Sequence, residues 1–126
     1  MLLITSRDTG RWVLPKGWPK KTESGGESAM RECWEEAGVV GHLAEGCVGV
    51  YSYDKTMPNG PAKPCCVAVH VVEVQYLDSD FPEKGLRRRA WFDPDDAAQA
   101  VDEPELKMLL AGFDPATFPR ATGARH

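Results

Sequence analysis

The feature that most restricts the fold is one helical segment set among strand-like ones. Residues 27–37, ESAMRECWEEA, are good helix formers, with Ala29, Cys33 and Ala37 at i, i+4 and i+8 and Met30 beside them. Gly38 follows, where a helix commonly ends in the left-handed conformation. Either Ser24, with Glu27 three residues on as a capping box, or Ser28 can cap the start. A helix with one narrow apolar side has to bury that side against another element. Its polar side carries Glu32, Glu35 and Glu36 at i, i+3 and i+4, so three carboxylates share one face.

The flanking segments supply strands. Leu2-Leu3-Ile4 is a short apolar strand, Asp8-Thr9-Gly10 a turn, and Trp12-Val13-Leu14 a second strand that Pro15 and Gly17 interrupt. Lys16 to Gly26 has hardly an aliphatic residue, yet Trp18 and Pro19 suit an ordered loop better than a flexible linker. Cys47 to Tyr53 alternates weakly, and a polar loop spans Asp54 to Pro64. Cys65 to Val74, nearly continuous in small and β-branched residues, reads as one central strand. Ala90-Trp91-Phe92 is a short strand before Asp93-Pro94, an N-cap and first-turn pair, and helices follow at about 94–100 and 104–111. The expectation is an α/β or α+β chain, a single domain over residues 1–126 without internal repeats.

Length and charge exclude several function classes. A chain of 126 residues fits one domain with a hydrophobic core. The longest uncharged apolar run, Cys65 to Val69, falls far short of the ~20 residues that cross a bilayer. No basic segment followed by an apolar one opens the chain, so no membrane partner is expected and a cytoplasmic location is the default. Cys33, Cys47, Cys65 and Cys66 contain no CxxC pair and read as buried small hydrophobes in a reducing compartment, with Cys65 and Cys66 on opposite faces of a strand. A net charge of -4 argues against non-specific binding to duplex nucleic acid.

The chemistry concentrates between Gly17 and Val39. Three carboxylates at helical spacing repel one another, and rigid oxygen ligands of this kind suit Mg²⁺ or Mn²⁺. Alone they would be an ordinary solvated face. Here they follow a loop of glycines, prolines and lysines that can surround an anion with N–H and ammonium groups. Cation on one side and basic loop on the other is an arrangement for a pyrophosphate.

The stretch GWPKKTESGGESAMRECWEEAGV resembles the signature of the Nudix hydrolases: Gly17, Glu23 after five residues, Arg31 after seven more, then Glu32, Glu35, Glu36, Gly38 and Val39 in register. The one departure is Cys33, where the family prefers a larger aliphatic residue. The resemblance implies a Nudix-type α/β/α sandwich around a mixed sheet, with the signature as loop–helix–loop. It implies Glu35 and Glu36 as principal metal ligands, Glu32 as a further ligand or the base for the attacking water, and the Lys16 carbonyl as an added ligand. Arg31 and Glu23 would pair across the loop as structural residues, together with Gly17 and Gly38. A further glutamate from a later loop serves as ligand or base in many members; Glu83 is the candidate, with Glu73, Asp78 and Asp80 as alternatives.

Such a fold usually begins with a strand and hairpin ahead of the segment resembling Leu2 to Ser6. The sheet would therefore lack its first strand, or the true start lies upstream, leaving a strand edge that a homodimer would cover. The Leu14-Pro15-Lys16-Gly17 form resembles dinucleoside polyphosphate hydrolases and bacterial relatives of diphosphoinositol polyphosphate phosphohydrolases. Lys16, Lys20, Lys21, Arg87, Arg88 and Arg89 are the candidate substrate-binding residues, and they suit a phosphorylated small molecule with many charges. Tyr51, Tyr53 or Trp18 could stack on a base or belong to the scaffold. The expected activity is metal-dependent hydrolysis of a phosphoanhydride in such a substrate. The alternatives are hydrolysis of nucleoside triphosphates or ADP-ribose-type nucleotides, or a Nudix-fold binding module that has lost its chemistry.

Overall fold

The computed structural model describes residues 1–120. In chain order the elements are β1 (Leu2–Thr5), β2 (Trp12–Val13), α1 (Gly25–Ala37), β3 (Val39–Leu43), β4 (Gly49–Lys55), β5 (Lys63–Val69), β6 (Val72–Leu77), β7 (Arg89–Trp91), α2 (Pro94–Ala100) and α3 (Pro104–Leu110). A single 3₁₀ turn at Pro115–Thr117 follows.

α1 begins two residues before the predicted start, and its cap settles the choice left by the sequence. Ser24 Oγ accepts from the Glu27 N–H at 3.1 Å while Glu27 Oε1 accepts from the Ser24 N–H at 3.1 Å. At the other end Gly38 sits at φ 69°, and its N–H donates to the Cys33 and Trp34 carbonyls. Asp93 does stand at the N-cap of α2, but its side chain makes no capping bond.

β1 lies between β2 and β7, antiparallel to both. The strand nearest the start is therefore paired on both sides, and the open edges of this sheet are β2 and β7.

Cys65 to Val74 is not one central strand. β5 pairs with β4 in register Lys55↔Lys63 through Gly49↔Val69, and β6 pairs with β3 from Leu43↔Val72 to Val39↔Leu77. The two ladders are successive halves of one bent antiparallel ribbon. Val48 N–H donates to the Val69 carbonyl and Ala44 N–H to the Val71 carbonyl, both at the bend. Only His70 interrupts a run of small and β-branched residues there, and a single polar residue does not by itself mark a break. β3 itself was not among the predicted strands.

Every ladder among the described residues is antiparallel, where a mixed sheet was expected. Parallel neighbours need a long crossover connection, whereas the β4–β5 pair turns back through a short loop. The α/β class and the layered arrangement hold. Alternation along β1 builds them: Leu3 packs with Tyr51, Val69, Ala97, Ala98, Val101, Leu106 and Leu110, whereas Ile4 packs with Val13, Ala37 and Val39. One face of the strand thus meets α2 and α3, and the other meets α1. Leu3 and Ile4 are fully buried, worth about 1.5–3 kcal/mol each.

Cys33 and Ala37 contribute to the α1 side of the core as predicted, while Ala29 lies outside that cluster. Burial pushes the Cys33 thiol up to about 12, with Glu36 and Glu32 adding to the effect. Of the other cysteines Cys65 is buried, but Cys47 and Cys66 are exposed, which corrects the reading of all four as buried. Among the described residues no helix is long and apolar enough to cross a membrane.

Candidate active site

The site is built where the loop after β2 folds over α1. Two of the three signature carboxylates are not on a solvated face: Glu32 is 8% and Glu36 7% exposed. The Lys16–Gly17 turn covers them. A Cβ at Gly17 would lie 2.5 Å from Glu32 Cδ and 2.8 Å from its Oε2, so only glycine lets the loop come this close. Glu36 Oε1 accepts from the Lys16 N–H at 3.4 Å.

Arg31 organises the loop. Its Nε and Nη2 donate to the two oxygens of Glu23 at 2.7 and 3.0 Å, a bidentate pair. Nη1 donates to Glu32 at 2.8 Å and to Glu35 at 3.1 Å, and Nη2 reaches the Trp18 carbonyl at 3.2 Å. Glu23 also accepts from the Lys20 N–H at 2.7 Å. These bonds, Arg31 first, hold the Glu23 carboxyl down at about 2.

Glu36 is displaced the other way. Burial, then a hydrogen bond shared with Glu32, pushes its carboxyl up to about 8. Arg87 Nη2, 3.8 Å away, opposes that rise without cancelling it. Burial and the adjoining Glu32 therefore favour a proton on Glu36 near neutral pH.

The loop after β6 brings in Glu83. Its N–H donates to the Glu35 carbonyl at 2.9 Å, and its side chain faces Arg87 at 3.2 Å and Arg7 at 4.0 Å. Arg87 thus bridges Glu83 and Glu36. The alternatives stand apart: Glu73 pairs with Arg120, Asp80 with Lys84, and the Asp78 carboxylate accepts from the Asp80 N–H.

The basic residues divide. Lys20 and Lys21 are exposed beside the site. The Lys16 ammonium donates to Tyr53 Oη at 3.1 Å and lies 4.4 Å from the ring centre. The Arg87–Arg89 run is spread over three tasks, because only Arg89 lies in β7 and each guanidinium meets a different neighbour. Arg88 stacks over Trp12 at 5.4 Å. Arg89 Nη1 donates to the Ala37 and Asp78 carbonyls at 2.6 and 2.9 Å, closing the end of α1. An open cleft of about 440 Å³ beside Glu36 is lined by Ser79, Phe81, Lys84, Arg87 and Arg89. Of the aromatic candidates, Tyr51 is a core residue, 1% exposed, while Trp18 is 61% exposed.

The family model for the NUDIX domain matches residues 1–112. The chain belongs to the Nudix family. Relatives of this Nudix chain include Nudix hydrolase 16, mitochondrial, of Arabidopsis thaliana, 32% identical over 120 residues, covering 90% of this chain and 64% of the relative. Human diphosphoinositol polyphosphate phosphohydrolase 3-beta is 31% identical over 103 residues, covering 80% of this chain and 58% of the relative. Human diphosphoinositol polyphosphate phosphohydrolase 2 is 28% identical over 124 residues, 92% of this chain and 64% of the relative. The chain spans about three-fifths of the length of the curated relatives it matches.

Nudix domains generally work with divalent metals. Among the described residues no three His, Cys, Asp or Glu side chains converge as they stand, since Arg31 draws Glu32 and Glu35 and Arg87 draws Glu83. The donor set nonetheless fits a hard cation. It consists of carboxylate oxygens on one rigid helix, and a divalent ion between Glu32 and Glu36 would take the place of the proton that their crowding favours on Glu36. Lys16 touches this pair through its N–H.

Sequence reasoning missed the Lys16–Tyr53 contact, and missed Lys55 and Lys63, whose ammonium groups lie 5.9 Å from the Trp18 ring centre. The available signal was the spacing of Tyr53 and Lys55, which puts both on one face of a strand.

Proposed function

We propose that this chain is a divalent-metal-dependent hydrolase that cleaves a phosphoanhydride bond in a highly phosphorylated small molecule, such as a diphosphoinositol polyphosphate or a dinucleoside polyphosphate. The observation that carries the reading is the buried Glu32–Glu36 pair under the Lys16–Gly17 turn, two carboxyls crowded closely enough that Glu36 favours holding a proton where a cation could sit. Family membership and the activity named for the human relatives support it.

Glu32, Glu35 and Glu36, with Glu83 and the Lys16 carbonyl, would hold Mg²⁺ or Mn²⁺. When bound, the ion polarises the phosphoryl oxygens and offsets charge that builds on the departing phosphate. Glu32 or Glu83 accepts a proton from the attacking water, which adds to phosphorus as the bridging oxygen leaves with the electron pair. Arg31 fixes the carboxylate helix to its loop by three hydrogen bonds, to Glu23 and the Trp18 carbonyl, and orients Glu32 and Glu35 by two more. Lys16, Lys20, Lys21 and Arg87 bind phosphate groups around the cleft. Arg88 and Arg89 support the walls.

The test is a phosphate-release panel with Mg²⁺ and Mn²⁺ over these substrate classes, nucleoside triphosphates and ADP-ribose, compared by kcat/KM. The polyphosphorylated substrates should dominate, and Lys20→Glu/Lys21→Glu should raise their KM far more than that of ADP-ribose. Dominance of ADP-ribose or a nucleoside triphosphate overturns the substrate class. Absence of all turnover overturns the hydrolase.

A further inference from the structure

Away from the carboxylates, the most unusual charged surface is the loop end of the β4–β5 ladder. Lys55 and Lys63 are register partners there, so like charges stand directly across from each other, an arrangement that repels. Both ammonium groups turn to the same indole, each 5.9 Å from the Trp18 ring centre. Attraction to the ring face offsets part of the repulsion and neutralises none of the charge.

Trp18 is exposed yet anchored. Its carbonyl accepts from Arg31, the guanidinium that also grips Glu32 and Glu35. On the same face of β4 as Lys55, Tyr53 holds the Lys16 ammonium. Three ammonium groups therefore line a wall running from Lys16, whose N–H meets Glu36, out to Trp18. Among the described residues no carboxylate lies within ion-pair distance of any of the three. An anion placed between Lys55 and Lys63 would relieve their repulsion and balance their charge together.

We propose that Lys55, Lys63 and Trp18 form a second anion subsite, which holds phosphate groups of the substrate remote from the bond that is cleaved. Two flexible ammonium groups suit phosphate oxygens at varied positions. The exposed indole offers an apolar wall to whatever carbon skeleton bears those phosphates. This deepens the hydrolase reading and rests on it for the substrate's identity, but the subsite itself is testable by binding alone.

Isothermal titration calorimetry at fixed ionic strength with Mg²⁺ would use two probes, inositol hexakisphosphate and inorganic tripolyphosphate. Lys55→Gln/Lys63→Gln should weaken at least one of them about tenfold or more and flatten its salt dependence. Lys55→Arg/Lys63→Arg should stay within about threefold of wild type, and Trp18→Leu should fall between the two. Loss confined to the hexakisphosphate assigns ring-borne phosphates to the subsite, and loss confined to tripolyphosphate assigns a linear chain. Unchanged affinity for both probes in the glutamine variant overturns the proposal, as does an equal loss in the arginine variant. A chain that binds through these lysines and hydrolyses nothing would remove the hydrolase reading and leave the subsite standing.

Discussion

Replacing Gly38 by alanine tests the joint between the carboxylate helix and the strands behind it. The residue sits at φ 69°, where a side chain costs about 1–2 kcal/mol through its own backbone. The added Cβ would also lie 2.6 Å from Phe81 Cδ1, 2.7 Å from the Asp78 carbonyl oxygen and 2.8 Å from Arg89 Nη1. None of the three can retreat freely. The Asp78 N–H donates to the Gly38 carbonyl at 2.8 Å, and Arg89 ties the Asp78 carbonyl to that of Ala37. Overpacking of this kind adds about 1–3 kcal/mol, so a total loss of about 2–5 kcal/mol is expected. Gly10 is the control: its φ is 73°, but nothing lies within 4 Å of a Cβ there. Gly10→Ala should lose only the backbone share. Urea unfolding followed by far-UV circular dichroism, with a common m-value, measures both. In thermal melts the gap of about 2 kcal/mol corresponds to roughly 8 °C for a chain of this size. Equal losses in the two variants would falsify the close-contact argument.

Glu36→Gln should lower turnover on the best panel substrate by at least about a hundredfold and leave the circular dichroism spectrum unchanged, since the amide keeps size but removes a charged ligand; near-wild-type rates at saturating Mg²⁺ would remove Glu36 from the chemistry. Glu23 has its carboxyl lowered to about 2 by Arg31 and the Lys20 N–H, so its stabilising contribution is complete above about 4.5 and drains away as pH falls towards 2. Glu23→Gln should therefore be less stable than wild type at pH 7 and lose less on acidification to pH 2; parallel acid melts would show that the pair contributes nothing. Cys33→Asp should destabilise by several kcal/mol, on the order of a buried unpaired charge, because Glu32 and Glu36 offer it only repulsion; a chemical-denaturation midpoint near wild type would count against the packing of that face.

The carboxylate helix was legible because its determinants are local. Ser24 and Glu27 bond across three residues, Gly38 supplies its own φ, and Arg31 finds Glu23 through a loop whose ends are eight residues apart. Spacing also placed Glu32, Glu35 and Glu36 on one face. What spacing does not carry is burial. That Glu32 and Glu36 are covered follows from the approach of the Lys16–Gly17 turn, a contact between residues about 20 positions apart. The bend at His70–Val71 was missed for a similar reason: the segment on both sides is mostly small and β-branched, and only the ladders with β3 and β4 divide it. The arginine run shows the same limit. Arg87, Arg88 and Arg89 read as one basic patch, but as the chain enters β7 the neighbours sent one to carboxylates, one to an indole and one to carbonyl oxygens. Local hydrogen bonds and periodicity are written in neighbouring residues, whereas the charge a side chain meets is set by whichever distant segment the fold lays against it.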